Sequence, residues 1–575
     1  MKRKMTRLLV CVCCVAMLFT AFGTFAYAHE IDTSKNASIA HPVQQGYKWY
    51  PITYKASDTA NFYTEQKETY FVIHAMAGTH KEDLYISFPQ EGGFRLQSQH
   101  DVENRKEPDV SNVGLFEPSS IKVIDYNNST PGVVVMKGTD NTEVRFSSND
   151  SGFTLEISNA KDRKIVYITS GQISYAYDRL GNILRTMVEM PLVNKEAIYN
   201  GSMRFQTPNV VGTHFSLTNA DCWSYEDYSY GNVPLFHSNR GYSIWFNMTY
   251  PGEADMGETN PEKYSIKLDG DKLDFYLWTG EPLDNLKKYT SLTGTSGMSE
   301  EWTFGFWSGA MSAAFDGNYH KNAEENMIML FEDVYHNKYN FYPEAFYGEG
   351  KNSQNANSML FAQARGSKVL YWFYPASGMS TMPEYLPEMT KSTPIFDADG
   401  KCISTGYPYI YTTPLLKLMN IYSFSQTTWY DFSNPSSIDV IKARMWQLWQ
   451  WGLAGAMIDY GENLSFSGTC FNGLSGMEMH NLNSYYYAKN ANIAWTDYYA
   501  ENTEHANDFV LFERSTVAGA QYWSGNFLGD QRSTWEGYQK AIYDMISMGA
   551  GGYNLYGADI GGLGGTPQND LWNRW

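Results

Sequence analysis

With 575 residues and a formal net charge of −19, the chain is too long for a single hydrophobic core and too acidic to offer a nucleic-acid or anionic-membrane surface, which needs clustered Lys and Arg. Two or three domains are expected.

The chain opens with Lys2, Arg3, Lys4 and Arg7, an apolar centre from Leu8 to Phe22, and Ala26-Tyr27-Ala28, a small-x-small cleavage pattern. Residues 1–28 therefore read as an export signal, with a retained anchor as the alternative, and the mature chain is expected to begin at His29 and to be secreted or cell-surface. No later stretch is apolar for long enough to span a bilayer, so no membrane contact is expected after cleavage. Cys222, Cys402 and Cys470, which remain after the signal leaves, are widely spaced and suggest neither a disulfide framework nor a zinc site.

From Thr69 to Trp278 short alternating runs are separated by turn residues. Tyr70–Ala75, Gly132–Lys137, Phe153–Ser158 and Lys164–Thr169 have strand length, and Asn149 to Gly152 reads as a turn between two of them. Tyr264–Leu268 and Leu273–Leu277, flanking Asp269-Gly270-Asp271, read as a hairpin. With no comparable amphipathic helix, residues 29–295 are expected to form a β-sandwich that ends in a polar linker from Gly280 to Ser299. One loop, from Thr218 through Asp221, Cys222 and Trp223 to Pro234, pairs Asn and Asp with aromatics; on sequence it is an Asx turn with a packed ring or a substrate loop.

After Trp302 the period changes. Ala323, Met327, Leu330, Phe331 and Val334 predict an amphipathic helix over Tyr319–His336. Seven strands are predicted: Phe341–Glu349, Lys368–Tyr374, Thr427–Phe432, Ala454–Asp459, Asp508–Arg514, Gln521–Leu528 and Tyr553–Ile560. Helices alternate with most of them; one starts at Asn434 and Pro435, and another at a capping box from Ser533 to Glu536, burying Trp535, Tyr538, Ile542, Met545 and Ile546. Alternation without a dinucleotide glycine fingerprint predicts that residues 296–575 form a (β/α)8 barrel of TIM type. The chain stops at Trp575 inside what reads as the next helix, so the barrel is expected to lack its last strand.

In such a barrel the C-terminal strand ends carry the chemistry. Asp459 closes an apolar run, and Asp530 follows Gly529 just ahead of a helix; each is a candidate catalytic acid or a turn and helix-leading residue. Asp397-Ala-Asp399-Gly400 echoes a calcium loop but lacks its later ligands, and the histidines form no metal constellation, so no metal is expected.

The motifs around these acids make the reading specific. Asp459-Tyr-Gly-Glu462 resembles the nucleophile motif of glycoside hydrolase family 31. Arg514-Ser-Thr, Gly519, Trp523 and Gly529-Asp530 are similar to its arginine-to-acid/base segment, Gly557 to Gly562 to its next strand end, and Trp429 to Pro435 to its Asp-Phe-Thr-Asn-Pro signature. Asn219 to Asp221 and Tyr230 to Pro234 resemble its sandwich loop. The resemblance implies a retaining α-glycosidase with Asp459 as nucleophile and Asp530 as acid/base, Asp221, Arg514 and Trp523 on the substrate, no cofactor, and an oligosaccharide or α-glycoside as partner. Asp559 is a turn or substrate residue, and Glu462 is expected to orient the nucleophile loop. Glu349, which the resemblance implies on the substrate, stands where many members carry an aspartate, and the histidine that follows their eighth strand has no counterpart, so sugar and linkage stay open. Transglycosylation and non-catalytic sugar binding are the alternatives, and the oligomeric state is not legible.

Overall fold

The computed structural model describes residues 47–66, 70–88, 93–98, 125–138, 142–159, 165–222, 228–304, 307–310, 328–331, 368–373, 375–378, 404–405, 427–429, 431–464, 466, 470–503 and 508–575. The export signal, Trp223, Glu349, the Asp397 to Gly400 turn and Cys402 lie outside them.

The first half is a sandwich of two antiparallel sheets. A long sheet carries strands from Lys48–Thr53 to Leu273–Thr279, and a five-stranded sheet runs from Asp125–Asn127 to Ile165–Thr169. Alternation decides which residues face inward: Val166 and Ile168 are buried while Ile165 and Tyr167, between them, are about half exposed. Phe71 and Ile73 of the long sheet join Val144, Phe146, Leu155 and Ile157 of the short one in a single core. The Asn149 to Gly152 turn forms as expected, with Asn149 Oδ1 accepting from Ser151 N–H at 2.7 Å.

Two expectations for this half fail. Lys263–Asp269 and Leu273–Thr279 do not pair with each other; the first lies between Ile183–Pro191 and Gly252–Asp255, the second between Tyr242–Phe246 and Phe94–Ser98. Gly270 N–H donates to Leu184 O, so the chain keeps following its neighbour past Asp269 and turns a corner instead of folding back. The expected linker holds a helix, α1 (Pro282–Thr293), with Pro282 at its start and Asn285, Tyr289 and Leu292 buried against the sandwich.

The second half is built on seven parallel strands: β1 (Trp307–Ala310), β2 (Ile328–Phe331), β3 (Lys368–Phe373), β4 (Leu453–Ile458), β5 (Val510–Glu513), β6 (Gly525–Phe527) and β7 (Tyr556–Gly557). Their spatial order follows the chain order, the one-way winding of a β/α barrel, whereas a doubly wound sheet reverses at a switch point. Residues 328–331, inside the expected helix, are strand instead, the apolar run Ile-Met-Leu-Phe overriding the weaker helical period. Thr427–Trp429 is a strand, but it pairs in a separate antiparallel sheet with 376–378 and 404–405. Phe341–Glu349 lies outside the described residues.

Three helices back the described strands: α2 (Ser437–Gln450), α3 (Gly476–Asn502) and α4 (Trp535–Ala550). Asn434 does not cap α2 directly; its Oδ1 accepts from Ser436 N–H at 3.1 Å, one turn ahead. Thr534 caps α4 by accepting from Gly537 N–H at 3.0 Å. That helix buries Gly537, Ala541, Asp544, Ser547 and Met548, and leaves Trp535, Ile542 and Ile546 exposed, the reverse of the expectation for those three. Its end lies close against the sandwich: Gly551 meets the Gly201 backbone so closely that a Cβ on either would clash.

The same junction holds a pH-sensitive group. His237 of the sandwich is buried; its Nε2 donates to Ala550 O at 3.0 Å and its Nδ1 shares a 2.7 Å hydrogen bond with Ser243 Oγ. Burial pushes its pKa down to about 4. The unfolded ring takes a proton first, so this contribution is complete above about pH 6.5 and is lost as the pH falls towards about 4, up to about 3 kcal/mol. Urea unfolding from pH 7 to 4 should show that fall, and His237→Asn should flatten it; an unchanged slope in the variant would assign the acid sensitivity elsewhere.

Candidate active site

Asp459 follows β4, whose six residues are all buried, and its N–H donates to Phe373 O of the neighbouring strand at 2.8 Å. Its carboxyl oxygen Oδ1 accepts from Tyr460 N–H at 2.8 Å. Tyr460 has φ +60°, a strained value for a tyrosine that turns the chain sharply after the acid. Arg514 leaves the end of β5, and its N–H reaches Ile458 O at 3.3 Å, so the arginine is set level with the acid by strand pairing. Asp530 lies three residues beyond β6, and Asp559 two beyond β7. The carboxylates thus rise from the C-terminal ends of neighbouring strands.

The guanidinium of Arg514, 1% exposed, is the hub. Nε lies 3.0 Å from Asp459 Oδ1, Nη1 donates to Asp530 Oδ2 at 3.4 Å, and Nη2 donates to Glu462 Oε1 and lies 3.8 Å from Asp221 Oδ1. The rings of Tyr460 and Tyr230 cover its faces, with centroids 4.1 and 4.7 Å away. Four acids share one cation, so the cluster cannot neutralise all of them if they ionise together. Burial, joined by the charges of Asp221, Asp459 and Asp559, holds the Asp530 carboxyl well above the usual carboxylate range against the opposing pull of Arg514. Glu462 is pushed up as well, chiefly by burial.

The sandwich supplies part of this site. Asn219 N–H donates to Asn481 Oδ1 of α3 at 2.9 Å, and its Nδ2 donates to Ser515 Oγ and Thr516 O at 3.2 and 3.0 Å, which locks the loop of Asp221 onto the β5 loop. Tyr230 OH accepts from Asp530 N–H at 3.4 Å. Gly529 has φ +73°, and a Cβ there would stand 2.2 Å from the Tyr230 ring, so the approach of the two domains requires glycine at this point.

Of the residues expected at the site, Asp459, Glu462, Arg514, Asp530 and Asp221 converge, and Asp559 stands near enough to bias Asp530. Trp523 does not join them. It precedes β6, on the side of the strand away from Asp530, its carbonyl accepts from Asn492 Nδ2 of α3 at 2.7 Å, and its ring packs on the α3 core. The expected strand Gln521–Leu528 begins only at Gly525, because Ala520–Tyr522 is a short 3-10 turn, which leaves Trp523 ahead of the strand and packed towards α3. Asp431, from the signature before α2, is a loop anchor: it accepts from Ser433 N–H at 2.9 Å and Phe471 N–H at 2.6 Å. Tyr460, Tyr230 and Asn219 lie inside the motifs that carry the resemblance, but the contacts between distant segments that make them important were not assigned from the sequence. Among the described residues no group of His, Cys, Asp and Glu has the arrangement of a metal site.

The chain is 23% identical to an alpha-xylosidase of Emericella nidulans over 420 residues, 69% of this chain and 49% of that protein. It is 22% identical to the alpha-xylosidase XylQ of Lactiplantibacillus pentosus over 529 residues, 86% of this chain and 62% of that one. It thus spans about half to somewhat under two thirds of the length of these relatives. Its fold matches the cycloalternan-forming enzyme from Listeria monocytogenes, solved in complex with a pentasaccharide substrate, with a TM-score of 0.73 at 19% identity, covering 92% of this chain and 50% of that one. The glycosyl hydrolase 31 N-terminal galactose mutarotase-like domain matches residues 83–255, and the glycosyl hydrolases family 31 TIM-barrel domain matches residues 296–575. A β-sandwich followed by a β/α barrel, with these two domain matches in this order, makes the chain a member of glycoside hydrolase family 31.

Proposed function

We propose that the protein is an exo-acting retaining α-glycosidase. Asp459 attacks the anomeric carbon, and Asp530 protonates the departing oxygen and then activates the water that releases the sugar. The observation that carries this reading is the pair of acids on neighbouring strand ends, joined by one guanidinium, with Asp530 inclined to keep its proton while Asp459 faces Arg514 Nε. A retaining pair works at close range, about 5 to 5.5 Å across the scissile bond, which acids on neighbouring strand ends of one barrel can provide. Asp221, Arg514 and Asp559 are placed to meet sugar hydroxyls, and the α-xylosidase relatives support an α-linked glycoside as substrate. Proton NMR of the first product from an aryl α-xyloside or α-glucoside should show the α-anomer; a β-anomer as first product would reject the double displacement.

Transglycosylation has one specific support, the likeness to the cycloalternan-forming enzyme. Adding an oligosaccharide acceptor should then raise aryl release while free sugar falls. Export rests on the basic start, apolar centre and Ala26-Tyr27-Ala28. N-terminal sequencing of protein recovered from the medium should begin at His29, and retention of Met1 would reject it.

A further inference from the structure

His480 lies in the first turns of α3 and is 5% exposed. Both of its ring nitrogens meet carbonyl oxygens, Nδ1 that of Leu464 at 2.5 Å and Nε2 that of Asn219 at 2.9 Å. A carbonyl oxygen only accepts, and a neutral imidazole has a single N–H, so a neutral ring would set a lone pair against one of these oxygens. The imidazolium donates to both. Phe466 stacks on the ring with centroids 3.9 Å apart and planes inclined by 23°, a placement that favours positive charge.

The two carbonyls belong to the two loops that bring acids to the site. Leu464 follows Asp459 and Glu462 on the β4 loop, and Asn219 precedes Asp221 on the sandwich loop. The charged groups on the elements meeting at the ring are Asp459, Glu462 and Asp221 on these loops, all three engaged by Arg514, and Glu478 on its own helix, engaged by Lys272 Nζ at 2.7 Å.

We infer that His480 is held as an imidazolium and acts as a positioning residue, a charged tie that fixes the loop of Asp459 against the loop of Asp221. Its chemical part stands on hydrogen-bond geometry alone; its functional part rests on the glycosidase reading.

Nitrogen NMR of the full chain labelled with 15N-histidine tests the first, with a His480→Asn spectrum identifying the resonances. At pH 7.5, about one unit above the ordinary imidazole pKa of about 6.5, both nitrogens of His480 should resonate as protonated, and a neutral tautomer would overturn the inference. Kinetics on an aryl α-glycoside test the second, with folding of the variant checked by circular dichroism. His480→Asn should lower kcat about tenfold and raise KM at least about threefold, since the Asp221 side of the site loses its register. A fall in kcat with KM unmoved is what simple loss of folded protein gives, and it would overturn the positioning role, as would wild-type values for both. If the unaltered chain turns over no glycoside, the functional reading fails by itself, and the NMR result alone decides the state of the ring.

Discussion

Asp459→Ala should lose on the order of 10⁴-fold or more of kcat on an aryl α-glycoside, the scale on which hydrolases lose activity when a covalent nucleophile is removed. The site should otherwise stand, because Arg514 keeps Glu462, Asp530 and Asp221. Azide should then restore turnover by occupying the space the carboxylate left, and the product should be the β-glycosyl azide, since attack comes from the face that Asp459 held. Asp530→Ala separates the roles. With a good phenol leaving group the first step needs little proton donation, so its loss should be smaller. The alkaline side of the pH profile should flatten as well. In the unaltered chain the protonated form of Asp530 prevails below its raised pKa, and activity falls as the pH rises through that value. An Asp459→Ala chain with wild-type turnover, or azide rescue confined to Asp530→Ala, would assign the nucleophile elsewhere.

The sandwich was legible because its strands alternate in and out of water, so Val133–Lys137 and Ile165–Thr169 stand within a residue of their expected bounds. β4 was legible for the opposite reason: a parallel strand buried on both faces is a continuous apolar run, and the polarity change at Asp459 marks its end. Tertiary context decided the failures. Pairing partners were invisible, which is why Lys263–Asp269 and Leu273–Thr279 looked like a hairpin and Thr427–Trp429 like a barrel strand. Gly, Ser and Thr concealed α1, whose stability comes from packing Tyr289 and Leu292 on Trp245 and Trp278 and owes little to propensity. At the site the acids could be found from motifs, while the placement of Trp523 depended on a 3-10 turn, and the tyrosine rings on Arg514 depended on a sandwich loop meeting a barrel loop. The resemblance thus implied which charges belong together, and only the fold showed that a single cation holds them.

That cation is the other position where one change should be severe. Arg514→Met removes the positive charge from between Asp459, Asp530, Glu462 and Asp221 while keeping much of the volume. Breaking a buried ionic cluster on one side costs about 3 to 5 kcal/mol, since the remaining charges stay desolvated without compensation. The loss should be largest at pH 7 and shrink as the pH falls. Without the arginine, Asp530 and Glu462, already held above the usual carboxylate range by burial, lose the charge that opposes that rise, so the folded state binds more protons and gains stability on acidification. Urea unfolding of the two proteins at pH 7 and pH 5 measures this directly. Activity should drop on the order of 10² to 10³-fold even where the variant is folded, because the two reacting carboxylates lose the bridge that sets their separation. Arg514→Lys gives the sharper comparison. Its ammonium keeps the charge and should recover part of the stability, but a point charge cannot reproduce the planar fork that reaches Asp459 through Nε and Asp530 through Nη1, and turnover should stay low. If the lysine variant matched the wild type in kcat, charge alone would suffice. The forked geometry would then have no part in holding nucleophile and acid at working distance.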